Sequence, residues 1–186
     1  MLSIINMPLC TSIENDAFRG CSSLTTINFS LCTAIGASAF SSCVSLSTLN
    51  FPECSLISEN AFRGCQALTT INFPKCTDIG SYAFISCSAL SIMNFPACTL
   101  INFNAFRSCR NLLSFYLLNS SVATLININA FSSTPIDGYT DSTNGVYGSI
   151  YVPASLVDSY KSANNWSYFS DRFVGLTDEE IEALNL

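Results

Sequence analysis

Apolar and polar positions along the chain follow a pattern that repeats every 22 residues. The repeat unit reads C-T-x-I-x-x-x-A-F-x-x-C-x-x-L-x-x-[IL]-N-F-P-x, as in the segment from Cys32 to Glu53. Its Ala-Phe pair begins at positions 17, 39, 61, 83 and 105, and once more at 130 after a step of 25. A period of this length predicts a solenoid, in which each unit forms one coil and stacked coils share a continuous core.

One half of each unit, L-x-x-I-x-F, predicts a short β-strand. Its last two apolar positions alternate with a polar one, and a proline, which cannot donate to a β ladder, follows in three units. We expect parallel strands about 4.8 Å apart in neighbouring coils. The predicted strands cover residues 24–29, 46–51, 68–73, 90–95 and 112–117.

The other half of the unit predicts a compact helical turn on the opposite side of the coil. In Ile57, Ala61, Phe62, Cys65 and Leu68 the apolar spacing changes to steps of three and four, which suits a single helical or 3-10 turn. The phenylalanines of the Ala-Phe pairs are expected to stack as a core column, because large aromatic surfaces hold such coils together. They are Phe18, Phe40, Phe62, Phe84 and Phe106.

These motifs resemble the BspA-like leucine-rich repeats found in surface proteins of anaerobic bacteria and some protozoa. The run from Leu46 to Phe51, followed by Cys54, is similar to the leucine-rich-repeat signature with cysteine in place of asparagine. The segment "IGSYAFISC", from Ile79 to Cys87, is similar to the BspA-like form in particular, and the likeness covers about residues 2–131. The resemblance implies an α/β solenoid, a right-handed superhelix of 22-residue coils with a parallel sheet and short helical or 3-10 turns.

The repeat weakens near residue 116, and a C-terminal cap is expected after it. Tyr116 and Ser120 stand where the repeat predicts asparagine and cysteine. Residues 148–176 resemble the C-terminal segment common in gut-bacterial members of the family. We expect a last strand at 150–152 and a helix from Pro153 to about residue 163. Val157, Tyr160 and Trp166 are expected to cover the open end of the core.

The chain is therefore predicted to have three segments. Residues 1–135 form the repeat array of about six coils, residues 136–176 form the capping segment, and residues 177–186 form an acidic tail or linker. Thr177 and Glu180 have the spacing of a capping box, which predicts a short helix in the tail.

The N-terminal coil is expected to present an uncovered edge. Leu2, Ile5, Met7 and Cys10 each precede an equivalent residue by one period, so the chain begins within the repeat. We expect either that the chain is a fragment of a longer protein or that it associates end to end through residues 2–13, since exposed strand edges and apolar side chains recruit another chain.

All ten cysteines lie in two 22-residue series. The series are Cys10, Cys32, Cys54, Cys76, Cys98 and Cys21, Cys43, Cys65, Cys87, Cys109. Zinc ligation is disfavoured, because no C-x-x-C pair and no histidine occur. Disulfides between coils are disfavoured as well, because stacked cysteines have parallel Cβ vectors, whereas a disulfide needs converging ones. We expect reduced, buried thiols that pack as small apolar groups, and no metal or cofactor.

Composition and charge exclude several classes of function. With 49% apolar and 11% charged residues, a net charge of −6 and a pI near 4.3, the chain has an apolar core but no basic surface for nucleic acid. We expect no membrane insertion, because no apolar run is long enough, and no export signal within these residues, because Met1 is not followed by a basic region and an apolar one. Without histidine there is no Ser-His-Asp or Cys-His pair, so we expect no enzyme and no catalytic residue.

Polar residues on the solvent side of the predicted strands are the candidate ligand-binding residues. They are Thr26, Asn28, Thr48, Asn50, Thr70, Asn72, Asn94 and Tyr116. The asparagines either satisfy one another as a stacked ladder or form a neutral strip that binds a partner. Leucine-rich repeats usually bind through this face, so the resemblance implies a protein- or glycan-binding adhesion module, secreted or on a cell surface, whose partner lies on another surface. The alternative is a structural spacer or stalk without a ligand.

Overall fold

The computed structural model describes residues 3–139 and 145–184, and in these ranges two ladders of parallel strands run along the stacked coils. The first, which we call the front ladder, has one three-residue strand per coil. Its strands are β1 (Ile4–Asn6), β3 (Thr26–Asn28), β5 (Thr48–Asn50), β7 (Thr70–Asn72), β9 (Ile92–Asn94) and β11 (Ser114–Tyr116). The five predicted strands are confirmed in position, and they pair in parallel except between β5 and β7. Each is shorter than predicted because only its central residues join the ladder.

The second ladder, which we call the rear ladder, was not predicted from the sequence. Its two-residue strands are β2 (Ser12–Ile13), β4 (Ala34–Ile35), β6 (Leu56–Ile57), β8 (Asp78–Ile79), β10 (Leu100–Ile101) and β12 (Thr124–Leu125). The six strands pair in one unbroken order from β2 to β12. Five of them end at the repeated isoleucine and β12 ends at Leu125, a position for which the sequence pattern predicts the start of a helical turn.

The Ala-Phe segment of the first five coils forms hydrogen-bonded turns where helical turns were predicted, and only the last coil has a 3-10 helix there, Ile128–Phe131. The reason is a left-handed residue just before each Ala-Phe pair, such as Asn60 with φ 57° and Asn104 with φ 55°. A right-handed helix cannot continue through this conformation. The freed backbone groups bond to the next coil instead, as when the Phe40 N–H donates to the Ala61 carbonyl at 2.8 Å.

Phenylalanines fill the space between the two ladders. The predicted column is confirmed by stacked rings, with Phe40, Phe62 and Phe84 spaced at 5.4 and 5.2 Å. A second stacked column, which includes Phe51 and Phe73 at 5.8 Å, packs against the first at tilted or edge-on angles. These rings are fully buried, so the aromatic contacts tie each coil to its neighbour.

The C-terminal segment closes the solenoid. Strand β13 (Ser149–Pro153) pairs with β11, and β14 (Phe173–Leu176) pairs with β13, so both extend the front ladder in parallel. Between them lie helix α1 (Val157–Ser162) and the 3-10 helices Ala154–Leu156 and Trp166–Arg172. A further 3-10 helix, Pro135–Asp137, precedes β13. The predicted strand at 150–152 is thus confirmed, and the predicted helix begins as a 3-10 turn.

The predicted covering residues pack over the last coil. Trp166 Nε1 donates to the Ala123 carbonyl at 2.6 Å, and the Ala123 N–H donates to the Tyr160 hydroxyl at 3.0 Å. Tyr160 and Trp166 are buried, and Val157 packs half-buried against the core. Beyond them, helix α2 (Asp178–Ala183) starts at the predicted capping box of Thr177 and Glu180, which is confirmed, and it buries none of its residues.

The N-terminal coil has the exposed character predicted for it. Ile5 and Ile13 are buried, but Ile4, Met7 and Leu9 are 62%, 49% and 82% exposed. Within the described residues, β1 pairs with β3 on one side only. Its other edge therefore presents unpaired backbone groups beside apolar side chains.

Candidate binding face on the front ladder

The asparagines of the front ladder form a chain of side-chain hydrogen bonds. Asn28 Nδ2 donates to Asn6 Oδ1 at 2.8 Å, and Asn50 Nδ2 donates to Asn28 Oδ1 at 2.6 Å. Further along, Asn94 Nδ2 donates to Asn72 Oδ1 at 2.9 Å. The amide nitrogen always points toward the preceding coil, so the predicted stacked ladder is confirmed for these three pairs.

The front ladder is interrupted between β5 and β7. Within the described ranges these two strands do not pair, and no hydrogen bond joins the Asn72 and Asn50 side chains. The Phe29 and Phe73 amides donate to the carbonyls of Asn50 and Asn94 at 3.0 and 3.1 Å, but the Phe51 amide makes no equivalent bond to Asn72. The front sheet therefore consists of a three-stranded and a five-stranded part.

The interruption is confined to the front side. At the same junction β6 and β8 pair in register on the rear side, with Leu56 opposite Asp78 and Ile57 opposite Ile79. The Phe51 and Phe73 rings stay stacked, at the same 5.8 Å separation as Phe73 and Phe95, where the front strands do pair. The coils stay joined through the core and the rear ladder while their front edges separate.

A cleft of about 280 Å³ occupies the interruption. It is lined by Leu49, Asn50, Phe51, Pro52, Thr70, Ile71, Asn72 and Pro74. Leu49 is partly exposed, whereas the aligned residues Ile27, Ile71 and Met93 are buried. None of the lining residues carries a charge, so the cleft offers amide, hydroxyl and backbone groups beside an apolar wall.

An ion pair joins the two coils beside the cleft. Lys75 Nζ lies 2.6 Å from Glu53 Oε2 and 2.7 Å from Glu53 Oε1. Glu53 follows Pro52 and Lys75 follows Pro74, so the pair spans the junction at which the front strands separate. Both side chains are well exposed, at 39% and 57%, so the attraction between them is screened by solvent.

The structure distributes the eight candidate residues unequally. Thr48, Asn50, Thr70 and Asn72 are exposed around the cleft, and Thr26 and Asn28 are half-buried beside them. The expectation that the Asn94 side chain is exposed for ligand contact is wrong, because Asn94 is only 1% exposed. It lies in register between Asn72 and the much larger Tyr116.

Tyr116 marks the end of the asparagine ladder. Its ring stacks on Tyr151 of β13 with centroids 4.6 Å apart and an interplanar angle of 12°. Burial and the neighbouring Tyr151 hydroxyl raise the pKa of Tyr116. The front face therefore changes from amides to an aromatic pair where the cap begins.

The ten cysteines are all free thiols, and the predicted burial is confirmed for eight of them. Cys10 and Cys21 depart from the prediction and are half-buried, because they belong to the first coil, which packs against a neighbour on one side only. Burial raises the pKa of Cys43 to about 11 and that of Cys54 to about 12. Such thiols are poor nucleophiles at neutral pH, because the reactive form is the thiolate.

The thiols also have a role that the sequence analysis missed, since they donate hydrogen bonds to backbone carbonyls. Cys54 Sγ donates to the Leu56 carbonyl in the rear ladder at 3.3 Å, and Cys65 Sγ donates to the Phe40 carbonyl of the preceding coil at 3.2 Å. This explains why the repeat carries cysteine, which is both small and a donor, at these positions. In the described part of the chain no group of side chains has the composition of a metal site.

Comparisons with known proteins agree with this architecture. A family model described as BspA type leucine-rich repeat region, with six copies, matches residues 2–96 and 33–144. No curated protein matches the sequence. Within residues 3–139 and 145–184, no helix combines the length and apolarity needed to cross a bilayer.

Solved structures of three bacterial proteins, two of them described as leucine rich, are similar in fold. A leucine rich cell surface protein from Faecalibacterium prausnitzii A2-165 aligns with a TM-score of 0.68 at 24% identity, over 82% of this chain and 39% of that one. A leucine rich repeat protein from T. pallidum aligns with a TM-score of 0.54 at 27% identity, over 62% and 59%. The pneumococcal vaccine antigen PcpA aligns with a TM-score of 0.67 at 13% identity, over 95% and 40%. The chain thus spans about two fifths to three fifths of these structures.

Proposed function

The chain belongs to the BspA-type leucine-rich-repeat family, and we propose that it is a non-catalytic binding and adhesion module whose front ladder engages a protein or glycan on another surface. One observation carries this proposal. The exposed residues Thr48, Asn50, Thr70 and Asn72 form an uncharged hydrogen-bonding surface around an interruption of the sheet. At this junction the Asn50 and Asn72 side chains do not bond to each other, so both are available to a partner.

A secreted or cell-surface location is part of the same proposal. It is supported by the family and by the similar structure from Faecalibacterium prausnitzii, which is described as a cell surface protein. A non-catalytic role is supported by the chemistry of the chain. It has no histidine, and its buried thiols have pKa values raised well above neutral pH.

A charge-substitution experiment tests the proposal. Screening against host-protein and glycan arrays should identify partners of the unmodified chain, and Asn50→Lys with Asn72→Lys should abolish their binding. The matched control is Ser55→Lys with Thr77→Lys, which adds the same charges to exposed positions of the same coils beside the rear ladder. If both double variants bind every partner equally well, the front ladder is not the binding face. If the unmodified chain binds no partner, a spacer role replaces the proposed one.

We also propose that the N-terminal coil supports end-to-end self-association. Its exposed Ile4, Met7 and Leu9 lie beside the unpaired edge of β1. Burial of these side chains against a second copy removes apolar surface from water and pairs the free strand edge. Light scattering should show a concentration-dependent dimer that Leu9→Asp disrupts, whereas a strict monomer at high concentration contradicts the proposal.

A further inference from the structure

We propose that the cleft between β5 and β7 binds one acetamido sugar of a glycan, with the acetamido group bridging Asn50 and Asn72. This inference rests on the proposed function, because it names the ligand class of the same face. It follows from the donors and acceptors that the interruption leaves available, and from the size of the cleft that separates them.

The side chains provide one donor and one acceptor on opposite walls. Asn50 Nδ2 is held by Asn28, and since the two amide heteroatoms diverge from one carbon, Asn50 Oδ1 points the other way, toward the cleft. Asn72 Oδ1 accepts from Asn94, which leaves Asn72 Nδ2 toward the cleft. One wall therefore accepts a hydrogen bond and the other donates one.

A trans secondary amide complements this arrangement. Its N–H and C=O point in opposite directions, so one amide donates to Asn50 Oδ1 and accepts from Asn72 Nδ2 at the same time. The bridging amide continues the ladder across the interruption as an additional rung. Charged ligands are not favoured, because the cleft has no lining charge to pair with them.

The backbone at the same junction adds a second donor, on the wall of Asn50, and a second acceptor, on the wall of Asn72. The Phe51 N–H belongs to the wall of Asn50, and the Asn72 carbonyl belongs to the opposite wall, and neither bonds to the other. A hydroxyl group accepts from one and donates to the other, since it has both functions. A sugar that carries an acetamido group next to a hydroxyl satisfies both pairs together.

The size and apolar wall of the cleft favour a single sugar over an extended peptide. Its volume of about 280 Å³ lies just below the usual range of about 300–1,000 Å³ for small-ligand sites, and the residues that line it come from two coils. Leu49 and Pro52 offer apolar surface for the acetamido methyl group. A peptide strand requires a longer groove than three-residue strands provide.

Titration of the ¹⁵N-labelled chain with N,N′-diacetylchitobiose tests the inference, with cellobiose as the analogue in which hydroxyls replace the acetamido groups. We expect chitobiose to shift the side-chain amide signals of Asn50 and Asn72 and to bind about tenfold more tightly than cellobiose. Equal binding of the two sugars, or no binding of chitobiose, overturns the inference. Tighter binding of an acetylated asparagine-containing tripeptide at the same residues overturns it too.

Two matched variants locate the interaction. Asn72→Asp keeps the acceptor for Asn94 but loses the donor to the cleft, and we expect it to weaken chitobiose binding about tenfold. Asn6→Asp adds the same charge and keeps the acceptor for Asn28, away from the cleft, and should change binding less than twofold. Equal effects of the two variants place the sugar elsewhere and contradict the inference.

The two proposals fail in different ways. If array partners bind through Asn50 and Asn72 while chitobiose does not bind, the sugar assignment is wrong and the binding face stands. If no partner of any kind depends on these residues, the proposed function itself is wrong.

Discussion

At the junction between the third and fourth coils, the two sides of the solenoid differ in strand pairing. The rear strands β6 and β8 pair in register, and the phenylalanine rings between the coils remain stacked. The front strands β5 and β7 leave a cleft with spare hydrogen-bonding groups. Stacking of these two coils therefore does not require paired front strands, because the core and the rear ladder hold the coils together.

Ionisation of the buried thiols is predicted to have the largest effect on stability, because the thiols donate hydrogen bonds that support the rear ladder. Cys54 and Cys98 donate to the carbonyls of Leu56 and Leu100 in the rear strands. Burial raises the pKa of each from an ordinary value of 9.0 to about 12. Between pH 9 and pH 12 the unfolded chain releases these protons and the folded chain retains them. The contribution of the two thiols to the free energy of unfolding is therefore fully present below pH 9 and is lost as the pH rises toward 12.

Urea unfolding at pH 8 and pH 10.5 measures this loss. Above pH 9 the free energy of unfolding should fall by about 1.4 kcal/mol per pH unit for each buried thiol. Cys54→Ala should reduce that slope by about the contribution of one thiol. A free energy of unfolding that stays constant between the two pH values would show that the thiols are not held protonated by the fold.

The next effect should appear at Gly80, on the rear side of the open junction. A Cβ at Gly80 would lie 2.6 Å from the Ser58 carbonyl carbon and 2.7 Å from the Ile57 oxygen, so Gly80→Ala should destabilise the fold by about 1–3 kcal/mol. Gly36→Ala meets an equally close contact, 2.6 Å from the Ile13 oxygen, but at a junction whose front strands pair. Thermal unfolding should show the larger loss for Gly80→Ala.

The difference in stability loss between the two glycine variants measures how much paired front strands stabilise a junction. At the Gly80 junction the rear ladder has no paired front strands to support it, whereas at the Gly36 junction β1 and β3 are paired. Ser58→Ala, at the equivalent position of the coil between them, serves as the control and should change stability by less than about 0.5 kcal/mol. An equal loss for both glycine variants would mean that the front interruption has no energetic consequence.

The strict repeat explains why much of the fold could be predicted from the sequence. Each front strand and the column that contains Phe62 recur at fixed positions, so one unit defines its neighbours. The rear ladder was missed because two-residue strands are too short to show alternation, and because the left-handed residue before Ala61 belongs to different residue types in different coils. Helical spacing and consecutive turns look alike in such a segment.

The face that carries the candidate site could be predicted from the sequence, but the position of the site along that face could not. The asparagine column identified the front ladder, but nothing in the letters distinguishes Asn72 from Asn94, although one is exposed and the other is buried. That distinction depends on the neighbour in the next coil. The interruption beside Asn50 is likewise absent from the pattern, because both coils follow the same consensus.

The smallest predicted effect concerns the ion pair beside the cleft. Lys75→Met removes the attraction to Glu53, and the free energy of unfolding should fall by less than about 1 kcal/mol because both side chains are exposed. The loss should shrink further in 1 M salt, where exposed charges are screened. A loss of several kcal/mol would show that the ion pair, rather than the rear ladder and core, holds this junction together.

The most direct test of the open front junction is hydrogen exchange at the Phe51 amide. The Phe29 and Phe73 amides occupy the same position in their coils and donate to Asn50 and Asn94, so they serve as internal controls. We predict that Phe51 exchanges at least about tenfold faster than either, and that a ligand in the cleft slows it toward their rates. Protection of Phe51 equal to that of Phe29 and Phe73 in the unliganded chain would mean that the front ladder is continuous, and would contradict the open junction between β5 and β7.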